Sequence, residues 1–328
     1  MTLPLDFAAA ARAGARWLTD AEVAPLGDGH INDTYLLGSG REAMVLQRIN
    51  TEVFRDPATL MRQAVRLLDG WSTQQIYQVP AMLPTRDGEL WVHNDDGWWR
   101  ACRYLAAGRT LPRVESPEQA RLAARAFACF QETAAGLEGP PLVATIDSFL
   151  ELAAYLRGYD AVAAQAPAEL RTLVDAHRAW PALAQPTGPI HGDCKLDNLL
   201  FDSGGSRVLA VLDFDTAMHG HWAWDFGDLV RSVWSTRDRA DEALFLACLE
   251  GFAAEREGLD PVAAADAPGY VTLMLAVRFL TDHLSGNRYF RVTQAGENLR
   301  RAQKQFELFR QYLALRDRLG ALAEATLA

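Results

Sequence analysis

Up to about residue 103 the apolar positions fall in short runs broken by turn residues, at 23–26, 34–37, 43–49, 90–93 and 98–104. Runs of this length bounded by glycine, proline, aspartate and asparagine read as strands. Asp95-Asp96-Gly97 marks a turn between the last two. One stretch has a different period: from Pro57 to Trp71, Leu60, Ala64, Leu67, Leu68 and Trp71 recur at helical spacing. The alanine-rich opening, residues 1–14, reads as a short helix. Beyond residue 104 the helical period dominates, over 116–131, 146–156, 167–180, 225–234, 241–255, 270–284 and 298–319. The exception is a hairpin of two apolar runs, 199–202 and 207–212, joined by Ser203-Gly204-Gly205-Ser206.

These patterns predict an α+β fold with two lobes, a small antiparallel sheet over residues 1–103 and a larger, mainly helical part over 104–328. A cleft between such lobes is where ligands usually bind. There is no internal repeat, low-complexity tail or long linker. The C-terminal helix after Asn298 is amphipathic and suits either a cover for the large lobe or a dimer contact, so monomer and homodimer both stay open.

Composition narrows the function. Of 328 residues, 32 are basic and 42 acidic, a net charge of −10, with no compensating lysine or arginine cluster. Such a surface repels phosphate backbones, which excludes nucleic acid as the expected partner. Charged or polar residues break every apolar run before membrane-spanning length, so no membrane partner is expected. Cys102, Cys129, Cys194 and Cys248 match no zinc spacing, and their separation points to free thiols and a reducing cytoplasm.

The chemistry concentrates in 190–232, which opens IHGDCKLDNLLFD. Asp193 lies in a polar turn, Asn198 at the start of the hairpin and Asp213 at its end. Hairpin closure brings Asn198 and Asp213 face to face, with Asp193 on the adjoining loop. Hard oxygen ligands of this kind suit magnesium, which binds one or two protein groups plus substrate phosphates. Asp193 is then free to accept a hydroxyl proton, and phosphoryl transfer needs little else beyond positioning and charge neutralisation. Lys195 is placed to offset charge on the transferred group. The chain contains no GxxxxGK[ST] loop, which argues against a P-loop kinase. Asp225-Phe226-Gly227 spells the protein-kinase metal motif but precedes a helical run. Asp225 is therefore expected to cap that helix and brace the loop, leaving the metal to Asp213. Asp215 suits either a ligand close to the metal or a loop-stabilising carboxylate. His191 reads as an orienting residue, and His219 and His221 lack the nearby partners a zinc site needs. Trp98, Trp99, Trp222 and Trp224 read as packing.

HGDxxxxN followed by an apolar strand ending in Asp resembles the aminoglycoside and choline phosphotransferase family. The fuller pattern is similar to the N-acetylhexosamine 1-kinases: INDTY at 31–35, LQRIN at 46–50, VFxxPxxLM at 53–61, DxDTxMxGxxxxDFGD at 213–228 and RFLTDHLxGxxYF at 278–290. The resemblance implies a protein-kinase-like fold and ATP- and Mg2+-dependent transfer to a small-molecule acceptor. By position it implies Asp193 as base and Asn198 and Asp213 as metal ligands. It puts ATP under the turn at Gly27-Asp28-Gly29, with adenine held by the backbone near Arg103, Tyr104 and Leu105. Acceptor contacts are implied for Arg278 and Tyr289, and His30 is within reach of the same substrate. The chain departs from the pattern in its phosphate anchor, since the kinase sheet lysine is absent and Arg48 is the nearest basic residue on that strand. The neighbouring helix offers Arg62, Gln63 and Arg66 but no glutamate to pair with such a lysine. The expected activity is phosphorylation of a hexosamine-type sugar, most plausibly the anomeric hydroxyl of an N-acetylhexosamine. The alternatives are an aminoglycoside, choline, ethanolamine or another hydroxyl metabolite, and a pseudokinase that binds without turnover.

Overall fold

A computed structural model describes residues 5–27, 31–290 and 292–328. The chain divides into two compact units, Met1–Gly108 and Arg109–Ala328.

The first unit begins with helix α1 (Phe7–Gly14), capped by Asp6, whose Oδ1 accepts the Ala9 N–H at 2.9 Å. Strands β1 (Val23–Pro25), β2 (Asp33–Leu37) and β3 (Met44–Arg48) lead into helix α2 (Pro57–Trp71), capped by Asp56 with proline in its first turn. Strands β4 (Met82–Leu83), β5 (Trp91–Asn94) and β6 (Gly97–Arg103) complete an antiparallel sheet. The order is β1-β2-β3-β6-β4, with β5 also paired to β6. At two residues β4 is too short to leave a period in the sequence; the other five strands fall on the predicted runs.

Side chains alternate between the faces of a strand, so the register fixes what each face carries. Tyr35, Leu37, Leu46, Trp99 and Ala101 share one face and pack under Ala9, Ala10, Ala13 and Trp17 from α1 and the turn after it. Thr34, Gln47, Arg100 and Cys102 fall on the opposite face.

The second unit is mostly helix: α3 (Pro117–Ala135), α4 (Leu152–Asp160) and α5 (Ala168–Ala176) come first. Strand β7 (Gly188–Ile190) precedes the hairpin β8 (Leu199–Phe201) and β9 (Val208–Val211), and β10 (Met218–Gly220) returns to pair antiparallel with β7. Helices α6 (Trp222–Ser235), α7 (Glu242–Ala253), α8 (Pro261–Leu284) and α9 (Glu297–Leu327) close the unit. α8 is the central element, packed on α4, α6 and α9.

The sequence pattern predicts a helix from residue 270, but α8 begins at Pro261, nine residues earlier, and includes Pro268 and Gly269. The helix runs straight through them, and both residues serve the packing. A Cβ on Gly269 would overlap the Tyr312 ring from α9, so only glycine admits that approach. The Pro268 carbonyl accepts a bond from Thr272 Oγ1 at 2.6 Å. Read as one element, α8 is long and apolar enough to cross a membrane by length and composition, against the expectation that no segment would be. Its apolar positions are instead mostly buried by neighbouring helices.

Gly227 has a similar role where α6 meets α8, since a Cβ there would overlap the Ala267 carbonyl. Gly to Ala in a helix interior ordinarily stabilises by about 1 kcal/mol. Gly227→Ala should do the reverse, costing ~1–3 kcal/mol through overpacking, as read by denaturant unfolding. Unchanged or raised stability would contradict the close crossing.

Candidate active site

The expected residues of the 190–232 segment are gathered by a chain that crosses itself. β7 delivers His191, Gly192 and Asp193, a single 3-10 turn, Leu196–Asn198, follows, and β8–β9 carries the chain out and back to Asp213. β10 then pairs with β7, placing Met218 opposite Ile190. Both ends of the segment are thereby stapled.

Asp225, in the first turn of α6, supports the loop from within. It is fully buried, and its carboxylate accepts the His191 N–H at 2.7 Å, the Gly192 N–H at 2.8 Å and Gln131 Nε2 at 2.8 Å. The expected brace is present, but the cap is not Asp225: His221 occupies that position, its Nδ1 accepting the Ala223 N–H at 3.1 Å. Gly192 has φ +83°, and a Cβ there would lie 2.6 Å from the Thr216 carbonyl, so only glycine fits the turn.

His191 is wedged edge-on among Phe127, Phe130 and Phe214. Its Nε2 faces the Leu212 carbonyl at 2.9 Å and its Nδ1 faces the Asp193 N–H at 3.3 Å. Only one neutral tautomer satisfies both, with the proton on Nε2. The ring thus ties the loop to the residue before Asp213. Leu212 donates its own N–H to the Asn198 carbonyl at 2.9 Å, which joins the two ends of the hairpin. Asp213 adopts left-handed backbone, φ 62° and ψ 73°, and its side chain is on the exposed side of the chain.

Asp193, Lys195 and Asn198 meet directly. Lys195 Nζ donates to Asp193 Oδ2 at 2.7 Å, and Asn198 Nδ2 donates to the same oxygen and to the Asp193 carbonyl, both at 2.8 Å. Burial works against the Asp193 charge, but the Lys195 ammonium and the hydrogen bonds outweigh it and hold the carboxyl below the ordinary aspartate range. Burial also opposes the Lys195 charge, and Asp193 and then Asp213 more than compensate, holding the ammonium above the ordinary lysine range. Asn198 Oδ1 and Asp193 Oδ1 accept no hydrogen bond from the described residues. An amide oxygen, a neighbouring carboxylate and a nearby ammonium suit a hard divalent cation carrying phosphate oxygens. Among the described residues no cluster of three histidine, cysteine, aspartate or glutamate side chains exists that would suit a transition metal. Burial pushes the Cys194 thiol well above its usual range, which removes it as a nucleophile.

The other expected positions separate. Asp215 is buried, with its carbonyl accepting Thr145 Oγ1 at 2.6 Å. Trp99, Trp222 and Trp224 are core, and Trp98 stacks on His93. Arg278 lies over the rings of Phe149, Tyr155, Tyr289 and Phe290 and donates to Tyr289 Oη at 3.3 Å. Asp282 shapes that corner, accepting the N–H groups of Arg288, Tyr289 and Phe290 and Asn298 Nδ2. In the first unit, Gly27 has φ +69°, consistent with a tight turn, while Gly29 and His30 lie outside the described residues. Arg103, Tyr104 and Leu105 form the end of β6 and the start of the segment running to Gly108. Strand parity puts Arg48 on the α1 face, over the Trp99 ring, opposite the face that carries Gln47.

Gln131 and Ser232 were not anticipated. Gln131 and Ser232 sit on buried helix faces; Ser232 Oγ accepts the Leu196 N–H at 3.2 Å. A glutamine inside the apolar stripe of α3 was the signal available for the first.

The profile described as the phosphotransferase enzyme family matches residues 22–262. A homoserine kinase of Neisseria meningitidis serogroup B is 34% identical over 115 residues, 34% of this chain and 35% of that protein. The chain thus matches about a third of that relative's length. Among solved structures, an aminoglycoside phosphotransferase of Alicyclobacillus acidocaldarius superposes with a TM-score of 0.69 at 15% identity, covering 99% of this chain and 98% of the other. A microcompartment-associated aminopropanol kinase gives 0.63 at 20%, covering 98% and 99%. A spectinomycin phosphotransferase in complex with ADP and spectinomycin gives 0.53 at 14%, covering 93% and 92%. At such identities the likeness is one of fold, the α+β protein-kinase-like class.

The pKa directions set a pH dependence. The lowered Asp193 pKa contributes stability that is present above the ordinary aspartate pKa of about 4 and is lost as pH falls through the lower folded value. The raised Lys195 pKa contributes stability that is full below about 10.4 and is lost as pH rises through the folded value. The coupling between Asp193→Asn and Lys195→Met in a double-mutant cycle should therefore be flat from about pH 5 to 9 and shrink outside. Coupling that changes near pH 7 would contradict the assignment. Asp225→Asn should cost ~1–3 kcal/mol in denaturant unfolding, because an amide offers one acceptor oxygen where the carboxylate uses two.

Proposed function

The chain belongs to the phosphotransferase enzyme family, and we propose that it transfers the γ-phosphoryl group of ATP to a hydroxyl of a small molecule in a magnesium-dependent reaction. The observation that carries this reading is the Asp193–Lys195–Asn198 cluster on a loop braced by Asp225.

In this reading the acceptor hydroxyl gives its proton to Asp193 Oδ1 as its oxygen bonds to the γ-phosphorus and the bond to ADP breaks. Oδ2 is committed to Lys195 and Asn198, so the carboxylate is aimed before the acceptor arrives. Its lowered pKa keeps it ionised at neutral pH, and it orients the hydroxyl before it takes the proton. Asn198 Oδ1 and Asp213 are the groups that would hold magnesium, whose charge would neutralise the phosphate oxygens. Lys195 supplies a further positive charge at the same place.

The acceptor we favour is an N-acetylhexosamine, phosphorylated at its anomeric hydroxyl. It is supported by the runs at 31–35, 46–50, 53–61, 213–228 and 278–290, and by Arg278 and Tyr289 as a joined pair of polar groups set among rings. A second reading takes a small amino alcohol or hydroxy amino acid, since relatives named for homoserine and aminopropanol stand among the similar proteins.

ADP release with Mg-ATP should be measured across N-acetylhexosamines, plain hexoses, homoserine, aminopropanol, choline and aminoglycosides. We expect turnover confined to the N-acetylated sugars and a fall of about 10²–10⁴-fold in Asp193→Asn with ATP still bound. Turnover on amino alcohols alone would replace the acceptor. Full activity in Asp193→Asn would remove Asp193 as base.

A further inference from the structure

Three side chains of α6, Asp225, Asp228 and Ser232, fall at helical spacing on one face. The outer two are bonded to the loop in order along the chain. Asp225 takes the N–H groups of His191 and Gly192, and Ser232 Oγ takes that of Leu196 at 3.2 Å. Asp228 is thereby set beside the loop residues that lie between, Asp193, Cys194 and Lys195. It is buried, its side chain 10% exposed. Arg231, one turn on, donates Nε to Asp228 Oδ1 at 2.9 Å, with Nη2 2.8 Å from the same oxygen. Oδ2 accepts no hydrogen bond from the described residues.

The charge of Asp228 reaches the loop through space. Burial opposes the Lys195 ammonium, and Asp193, Asp213 and then Asp228 favour it. Burial pushes the Asp228 carboxyl above the ordinary aspartate range, and the Asp193 charge adds to this, against the pull of Arg231 and Lys195. A carboxylate kept where its surroundings disfavour its charge marks a working site more than a stabilising ion pair. Lysine is itself rare in this chain. Of the 32 basic residues only Lys195 and Lys304 are lysine, and Lys304 is exposed. An ammonium is a point charge on a flexible stem, so its neighbours must position it, where a guanidinium fork is fixed by its own plane.

We infer that Asp228 is a positioning residue for Lys195, a fixed negative charge on α6 that holds the ammonium in place during phosphoryl transfer. Three carboxylates act on Lys195, and the reaction cancels the charge of two. Asp193 becomes neutral when it takes the acceptor's proton, and Asp213 would be neutralised by magnesium. Asp228 takes part in neither step, so its hold lasts through the transfer, when Lys195 faces the phosphoryl oxygens. The inference rests on the kinase reading above, and its test keeps the two apart.

ADP release with Mg-ATP and N-acetylglucosamine is measured for the wild type, Asp228→Asn, Asp228→Glu, Lys195→Met and the double variant Lys195→Met with Asp228→Asn. Asp228→Asn should lower kcat about tenfold and change both KM values less than about twofold, because Asp228 acts in the transfer step and not in binding. Asp228→Glu keeps the charge and should recover part of that loss. In the Lys195→Met background Asp228→Asn should cost less than about twofold, since the lysine through which it acts is gone. Full kcat in Asp228→Asn, or an equal loss with and without Lys195, would overturn the inference while leaving the kinase reading in place. A second measurement needs no acceptor. In NMR of the full chain isotopically labelled at lysine, Asp228→Asn should move the Lys195 Cε signal and leave that of Lys304 unchanged. An unmoved Lys195 signal would overturn the inference. A wild type that releases no ADP with any acceptor would overturn the kinase reading itself, and the lysine signals would then decide whether Asp228 positions Lys195.

Discussion

One buried carboxylate organises the second unit. Asp225 is out of contact with water, and a bare carboxylate in that position would cost several kcal/mol. Three N–H groups, two from the loop backbone and one from Gln131, return that energy. Charge-assisted bonds of this kind contribute ~1.5–3 kcal/mol each, so the loop and the helix that carries Asp225 depend on one another. The order then passes outward. With its backbone held, His191 sets its ring between the Leu212 carbonyl and the Asp193 N–H. Leu212 is bonded to Asn198, and Asn198 to Asp193. Asp193 is thus two hydrogen bonds from Asp225, and Lys195 and Asn198 are three. Pre-organisation of this kind is the protein's main contribution to phosphoryl transfer, where there is little covalent chemistry to perform.

The first unit uses strand alternation for a different purpose. One face of its sheet is closed by α1 and is apolar. The other carries a polar stripe, Thr34, Gln47 and Arg100, joined by hydrogen bonds. A shift of one residue in β3 would exchange Gln47 for Arg48 on that face, so the register decides what each face carries.

Much of this was legible from the pattern of residues. The strand runs, the switch to helical period and the hairpin at 199–212 lie close to the elements observed, because each has a local cause in alternation or capping. The spacing around one hairpin put Asp193 and Asn198 close together, and the two side chains are hydrogen-bonded. Long-range causes were less visible. The start of α8 was missed, and only Tyr312, more than 40 residues away, shows why glycine is needed at 269. The cap of α6 fell to His221 because the helix begins at Trp222, three residues earlier than its apolar period suggested, which puts Asp225 inside the first turn.

Held by Asp225, the loop is already formed in the free protein. Amide hydrogen exchange at His191 and Gly192 in the ligand-free chain tests this directly. Their N–H groups should exchange only as slowly as global unfolding of the second unit allows, and Asp225→Asn should speed both without equal change in the core of α8. Fast exchange at His191 and Gly192 in the wild type would contradict the claim and leave the site to be assembled by its ligands.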